Sequence, residues 1–368
     1  MSSPPRAPLA YPLQQVERTC IIYGRRRKLA YFGGCDYFRL ATHPQVVSAV
    51  AEGLVKYGLN VAASRFTTGN HRLYEALEAR VARFFEVETA LVTSSGYVAN
   101  LVAAQALAGE FTHLLMDEQA HASLVDAACF LGAPVLKFPH RQPAKLARAL
   151  KDLGRGACPL VVTDGLFAQD GALAPLPEYL GLLPPRGAIL VDDAHGAGVL
   201  GQNGRGTAEH LSANSERLFL TATLSKAFGT YGGVILGARG FIQKALNRSR
   251  LFPGNTPLPL PLAAGALAAL DVLQTDPALR ARLRRNTAYV KDALRAAGLP
   301  VVDNPSPIVS LVAPDAPAAA RLTNRLLARD IYPSLIHYPG GPPQGSFRFA
   351  LSSEHTTAQL DRLIQALT

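Results

Sequence analysis

The chain has no tryptophan, only two methionines and only four cysteines among its 368 residues. Cys20, Cys35, Cys129 and Cys158 are widely spaced. Without a Cys-x-x-Cys pair they form neither a zinc ligand set nor a redox pair, and they read as buried or free thiols in a reducing compartment. Charge is scarce too, at 17% of residues, against about 25% in an ordinary globular domain. That argues against a disordered chain and against a solenoid with a heavily charged face. Acids are scarcer than bases, 27 against 37, giving a formal charge of +10 and a pI of about 9.6. A basic balance suits anionic partners (nucleic acid, acidic lipid, phosphorylated small molecules) without choosing among them. The densest basic run, Arg25-Arg26-Arg27-Lys28, precedes a strand-like segment at 28–32. It lacks the stacking aromatics of a nucleic-acid module, so a solvated hairpin edge and no nucleic-acid partner are expected. A membrane-spanning run is missing as well. The most apolar stretch, residues 258–273, is shorter than the roughly 18 residues needed and opens with prolines. The first residues carry prolines where an export signal needs an apolar core. A soluble, cytoplasmic protein is expected.

What the chain does have is an alternation of short apolar runs and helical patterns. Residues 90–94, 113–117, 134–138, 160–164, 188–193, 217–223 and 233–237 each read as a strand. Their near-continuous hydrophobicity, rather than strict alternation, marks strands buried on both faces. Helix-length segments lie between several of them, which is the pattern of an α/β sheet covered by helices. At 72–85, Leu73, Leu77, Val81 and Phe84 recur at helical spacing. Prolines at 253–261 punctuate the chain before a helix-rich region, and the last seventy or so residues carry further strands and a terminal helix. The length is compatible with two to three domains. The expected division is an N-terminal segment, 1–45, a large α/β domain, 46–250, and a smaller α+β domain, 251–368. No internal repeat is visible.

Gly196-Ala197-Gly198-Val199-Leu200-Gly201 fits the dinucleotide fingerprint GxGxxG. A true fingerprint opens a helix directly after its strand. Here Asp192, Asp193 and His195 intervene, and the glycines run on to Gly206, a stretch that cannot begin a stable helix. A stronger signal is a series of four motifs: TSSGYVAN (93–100), HASL (121–124), VDDAHGAG (191–198) and TATLSKAFGTYGG (221–233). The first runs a strand through Ser-Gly into a helix, whose N-terminal N–H groups suit an anion. The others place a histidine, two carboxylates with a histidine, and a lysine among hydroxyls and glycines at strand ends. Ligands of open α/β sheets bind there. A lysine, an aspartate ending a buried strand, a phosphate cradle and a stacking imidazole together suit pyridoxal phosphate (PLP). Alternation within the strand points Asp193 away from Asp192 and makes it the structural member of that pair.

These motifs, with SRFTTGNHRLYEALE (64–78) and DEQAHASL (117–124) in the same order, resemble the α-oxoamine synthase family of fold-type-I PLP enzymes. The family includes 8-amino-7-oxononanoate synthase and glycine C-acetyltransferase, within the class II aminotransferase superfamily. The resemblance runs from about Tyr31 to the C-terminus. It implies a large domain with a seven-stranded, mostly parallel sheet and a smaller C-terminal α+β domain. It makes Lys226 the Schiff-base lysine and proton shuttle, and Asp192 the partner of the pyridine nitrogen. His195 would bond the ring hydroxyl oxygen, and Gly96, Tyr97 and Thr223 would hold the phosphate or ring. His121 would stack on the ring and serve as a candidate acid for a thioester carbonyl. Arg348, in GSFRFAL, would grip the amino-acid carboxylate, with Cys35 nearby. The implied activity condenses an amino acid with an acyl-CoA and loses carbon dioxide; for the 8-amino-7-oxononanoate synthase members it belongs to biotin biosynthesis. No metal is implied. A homodimer with a shared active site is implied, with Ser64 and the loop around Thr230 near the partner's cofactor.

Departures fall on the substrate side. Family members usually carry asparagine where this chain has Cys35, and a serine where Asp164-Gly165-Leu166-Phe167-Ala168 ends in alanine. A threonine before the carboxylate arginine is replaced within Tyr338-Pro339-Gly340-Gly341. The alternatives are an aminotransferase or other amino-acid-modifying enzyme on the same scaffold, and a catalytically silent partner subunit. The presence of Lys226 opposes the silent subunit.

Overall fold

The structure, a computed structural model, describes residues 11–24, 26–154, 156–213, 215–337 and 341–368. Its strands, in chain order, are β1 (Gln14–Val16), β2 (Cys20–Tyr23), β3 (Arg27–Ala30), β4 (Thr89–Thr93), β5 (His113–Asp117), β6 (Val135–Phe138), β7 (Pro159–Asp164), β8 (Ala188–Asp192), β9 (Leu218–Thr223), β10 (Gly233–Gly237), β11 (Ile308–Val312), β12 (Leu335–Ile336) and β13 (Ser346–Ala350). The chain divides into two units. The larger comprises residues 40–167 and 172–280, and the smaller the segment ending at Arg39, 168–171 and 281–368.

The larger unit holds a seven-stranded sheet in the order β4-β10-β9-β8-β7-β5-β6. β10 alone runs against its neighbours; the other strands share one direction. The pleat sorts each apolar run into two cores. Leu114, Met116, Leu160, Val162 and Leu190 face one layer of helices. Leu115, Val161, Ile189 and Val191 face the other. The runs therefore look unbroken in sequence because both faces are dry. The helix Arg72–Phe85 buries Tyr74, Leu77, Val81, Phe84 and Phe85, close to the expected face, with Tyr74 more deeply placed than Leu73.

The domain division differs from the one expected at residue 250. The helix Leu260–Thr275 belongs to the larger unit. Its small residues Gly265, Ala266 and Ala269 are buried, and it lies so close to the helix Pro44–Tyr57 that a Cβ on Gly265 would meet Val50 Cγ2 at 2.5 Å. The apolar stretch at 258–273 is thus a core helix. Among the described residues no helix is long and apolar enough to cross a membrane.

In the smaller unit, β1, β2 and β3 form an antiparallel meander, and β11, β13 and β12 an antiparallel sheet. Ala30 bridges to Ile331, and Phe32 C=O accepts from Ala350 N–H at 2.6 Å. Phe32, Leu294, Val309, Phe347, Phe349 and Leu363 share one core. Terminal and C-terminal sequence thus fold together. Arg25 lies outside the described residues; Arg26, Arg27 and Lys28 are exposed at the β2–β3 turn and the start of β3. Arg27 pairs with Asp330 at 2.9 Å.

The helix contact yields a direct expectation. Gly265→Leu should destabilise the protein by about 1–3 kcal/mol through overpacking, read as a lower midpoint in urea denaturation. An unchanged midpoint would mean the two helices are free to separate.

Candidate functional site

Within the larger unit, β5, β7, β8 and β9 are parallel neighbours that end on Asp117, Asp164, Asp192 and Thr223. Their carboxyl ends form one edge, and the loops that leave it carry the motif residues: His121 after β5, His195 after β8 and Lys226 after β9. β4 points the same way and delivers Gly96 and Tyr97 to the same edge. Lys226 is half-buried and His195 buried.

The helix Gly96–Ala106 begins directly after β4. Its cap, Ser95, is extended and accepts Val98 N–H on its hydroxyl at 3.2 Å. That leaves the N–H groups of Gly96 and Tyr97 without an intrahelical partner, a natural anion cradle. A Cβ at Gly96 would lie 2.9 Å from Thr223 Cβ, so only glycine lets the helix start against the end of β9. Thr223 Oγ1 bonds Gly232 C=O at 2.9 Å and lies 2.7 Å from the Ser225 hydroxyl. The cradle and the lysine loop are thereby tied together. Tyr97 is exposed, its hydroxyl bonded to Asp126, with its ring edge-on to His121 at 6.4 Å.

A buried hydrogen-bond chain joins the acidic and imidazole groups. Asn100 Nδ2 donates to Asp192 Oδ2 at 2.7 Å and to Ser123 Oγ at 2.8 Å. Ala194 N–H donates to Asp192 Oδ1 at 3.0 Å. Ser123 Oγ lies 2.7 Å from His121 Nδ1, and Thr221 Oγ1 donates to Asn100 Oδ1. His121 itself is exposed and caps the helix Ala122–Leu131. Its N–H donates to Asp164 Oδ2 at 2.8 Å. Asp164 sits opposite Asp192 in the β7–β8 register. Burial and the Asp192 charge push its carboxyl well above the usual range, while the His121 N–H and the Lys226 charge oppose that. Asn100, Ser123 and Asp164 were not singled out as site residues from sequence. The available signal was Asn100 as the lone polar residue in the apolar stretch 98–104.

Asp193 faces the other way, as alternation requires. It accepts Thr207 N–H at 2.7 Å and the Thr207 hydroxyl at 2.6 Å. A Cβ at Gly206, where φ is +101°, would fall 1.9 Å from Asp193 Oδ2. The glycine-rich stretch therefore wraps a carboxylate, and Gly196–Gly201 forms turns rather than opening a helix. Burial raises Asp193 to about 7 against the bonds from Thr207 and Gly196.

In the smaller unit, Arg348 lies buried on β13. Its Nε donates to Ala168 C=O at 2.5 Å, and Nη2 lies 3.5 Å from Cys35 Sγ. Tyr37, a third member of this cluster not anticipated from sequence, is fully buried. Burial and the neighbouring Cys35 raise its hydroxyl well above its ordinary value, against the Arg348 charge. Tyr338, Pro339 and Gly340 lie outside the described residues.

The profile of the aminotransferase class I and II family matches residues 33–367. The 8-amino-7-oxononanoate synthase of Thioalkalivibrio sulfidiphilus is 39% identical over 345 residues, covering 93% of this chain and 88% of that protein. The serine palmitoyltransferase of S. paucimobilis, solved with a bound PLP–myriocin aldimine, superposes with a TM-score of 0.89 at 28% identity, covering 96% of this chain and 90% of that one. The 8-amino-7-oxononanoate synthase of Francisella tularensis gives 0.79 at 27%, covering 92% and 96%. The chain belongs to the class I and II aminotransferase family, in its α-oxoamine synthase branch. The seven-stranded, mostly parallel sheet is that of PLP fold type I.

The Asp193 environment sets a pH test. A carboxyl raised from about 3.9 when unfolded to about 7 when folded stabilises the fold fully below the lower value. That stability is lost as pH rises through the upper one. The advantage of wild type over Asp193→Asn, from urea titrations at about pH 4.5 and about pH 7.5, should therefore shrink with rising pH. A gap that stays constant or widens would exclude a protonated Asp193.

Proposed function

We propose that the chain is a PLP-dependent acyltransferase of the 8-amino-7-oxononanoate synthase kind. The carrying observation is the strand-end array of Lys226, Asp192 and His121 in a chain 39% identical over 93% of its length to such an enzyme. The product's own structure defines the substrates. Carbons 8 and 9 with the amine are those of decarboxylated alanine, and carbons 1 to 7 are an acyl chain ending in a carboxylate. Alanine and a seven-carbon ω-carboxyacyl thioester therefore give the aminoketone, carbon dioxide and free thiol, with one proton taken up.

The residues fit the cofactor. An open helix N-terminus beside Thr223 suits a phosphate, a carboxylate fixed by Asn100 and Ala194 suits a ring nitrogen that must keep its proton, and a lysine lies close enough to act on Asp164. Bound PLP supplies an aldehyde carbon and an electron-poor ring that accepts the electrons left at the amino-acid α-carbon. Lys226 Nζ would hold the group and, once displaced, take and return the α-proton. Asp192 would keep the ring nitrogen protonated, and His195 would bond the ring hydroxyl oxygen. Gly96, Tyr97 and Thr223 would hold the phosphate. His121 would donate toward the thioester carbonyl oxygen, and the Arg348 fork would take the amino-acid carboxylate.

A second copy of the chain is the proposed partner, in a cytoplasmic homodimer that shares its active sites. Support comes from the helix Pro44–Tyr57, where Val47, Leu54 and Val55 share an exposed stripe, Val55 being 90% accessible. Leu59 and Phe66, on either side of Ser64 in the sequence, are exposed as well.

Protein loaded with PLP should show an absorbance band near the visible edge that Lys226→Ala lacks. Release of CoA should require both alanine and the ω-carboxyacyl-CoA. Conversion of the cofactor to its amine form by alanine alone, without CoA release, would make the enzyme an aminotransferase. Arg348→Lys loses the bidentate fork. It should raise the KM for the amino acid at least about ten-fold and leave the absorbance band unchanged.

A further inference from the structure

We propose that Asn100 is a positioning residue whose single side-chain amide fixes the Asp192 carboxylate and, by holding the Ser123 hydroxyl as a donor, secures the His121 tautomer that the Ser123 backbone N–H favours. The inference rests on the reading of His121 as an acid and says how the protein prepares it. The backbone N–H of Ser123 can only donate, and it meets His121 Nδ1 at 3.2 Å. Nδ1 therefore presents its lone pair, and the ring proton belongs on Nε2. The Ser123 hydroxyl reinforces this choice. Its oxygen accepts from Asn100 Nδ2 at 2.8 Å, a group with no lone pair to offer, so the hydroxyl hydrogen is free to point at His121 Nδ1, 2.7 Å away.

The orientation of Asn100 is in turn dictated. Turned over, its carbonyl oxygen would face the Asp192 carboxylate, now 2.7 Å from Nδ2. As placed, Oδ1 accepts from Thr221 Oγ1. Both amide hydrogens and the carbonyl are used, and Asn100, Ser123 and Thr221 are all at most 1% exposed. In such a dry network each bond is stronger and each unmade bond costlier than in water. The relay Thr221, Asn100, Ser123, His121 thus aims an N–H donor, Nε2, away from the network. The same amide holds the carboxylate that would keep the cofactor ring protonated.

The test uses the full-length protein labelled with 15N-histidine and freed of PLP. His121 is assigned by the signal lost in His121→Asn. The expected result is a protonated Nε2 and a bare Nδ1 in wild type, and a measurable Nδ1–H fraction in Ser123→Ala and Asn100→Leu. In those variants the hydroxyl is lost or no longer held as a donor, and only the Ser123 backbone N–H favours Nε2–H. Asn100→Leu should also bind PLP at least about ten-fold more weakly, the scale of one hydrogen bond to a charged group. If Asn100→Leu fails to fold, Thr221→Val, which releases the Asn100 carbonyl, replaces it in both readouts. A wild-type ring protonated on Nδ1, or variants that keep the pure Nε2–H tautomer, would overturn the proposal. Wild type that binds PLP with the wrong tautomer overturns this inference alone, whereas wild type that fails to bind PLP overturns the functional reading.

Discussion

Carboxylates at the ends of buried strands govern the larger unit. Asp117, Asp164 and Asp192 close neighbouring strands where both faces are dry, and Asp193 follows one residue on. A buried charge must be paired, hydrogen-bonded or protonated. The loops fold to meet that demand. Asp117 gathers the N–H groups of Gln119 and Arg141 and the His140 ring. Asp164 takes the His121 N–H, and Asp192 takes Asn100 and Ala194. The loops after β5 and β8, which carry His121 and His195, are thus anchored by the acids they surround, while the loop carrying Lys226 is held through Thr223 and Leu224 to Gly232.

How much of this could be read from the chain follows from which forces leave a local trace. Strands β4, β5 and β7 to β10 were legible because dryness produces unbroken apolar runs. By contrast β6, with Val135, Leu136 and Lys137 exposed, was legible from its apolar composition alone and is not buried on both faces as expected. The proposed residues His121, Asp192, His195 and Lys226 end or directly follow such runs. The helix Leu260–Thr275 was recognisable as a helix and expected in the smaller domain, whereas it packs within the larger compact unit. Its partner, the helix Pro44–Tyr57, lies some two hundred residues earlier, and nothing in either segment announces the pairing. Asn100 and Ser123 were invisible as site residues for a similar reason. A polar residue in an apolar helix declares that it needs a partner, but which carboxylate or hydroxyl it finds is settled only by packing. Tyr37 escaped because a buried tyrosine looks like core until its neighbours, Cys35 and Arg348, are known.

The two units also differ in how closely they keep to the family pattern. The cofactor-side motifs of the larger unit are complete. Two of the departures lie at Arg348, where Ala168 contributes only its backbone carbonyl and Cys35 a sulfur at 3.5 Å. A third, at residues 60–65 where the family carries a run of small residues, lies in the larger unit. A thiol is a weak hydrogen-bond acceptor. Chemistry at the lysine and choice of substrate are in this sense separable properties of the sequence.

Asp192 and Asp193 show how far environment, rather than residue type, decides a role. They are adjacent, yet the pleat sends one toward Asn100 and the proposed cofactor and the other into a pocket lined by Gly165, Gly196 and Gly206. A side chain at any of those glycines would collide with the Asp193 carboxyl group. Of the glycines that imitate a dinucleotide fingerprint, Gly196 abuts this carboxyl, whereas a Cβ at Gly198 would meet Ala227 and one at Gly201 would meet Glu209. In that pocket burial outweighs the Thr207 and Gly196 bonds and raises the group to about 7. The carboxyl that the glycines enclose becomes a pH-sensitive part of the fold, and its neighbour is left to face the chemistry.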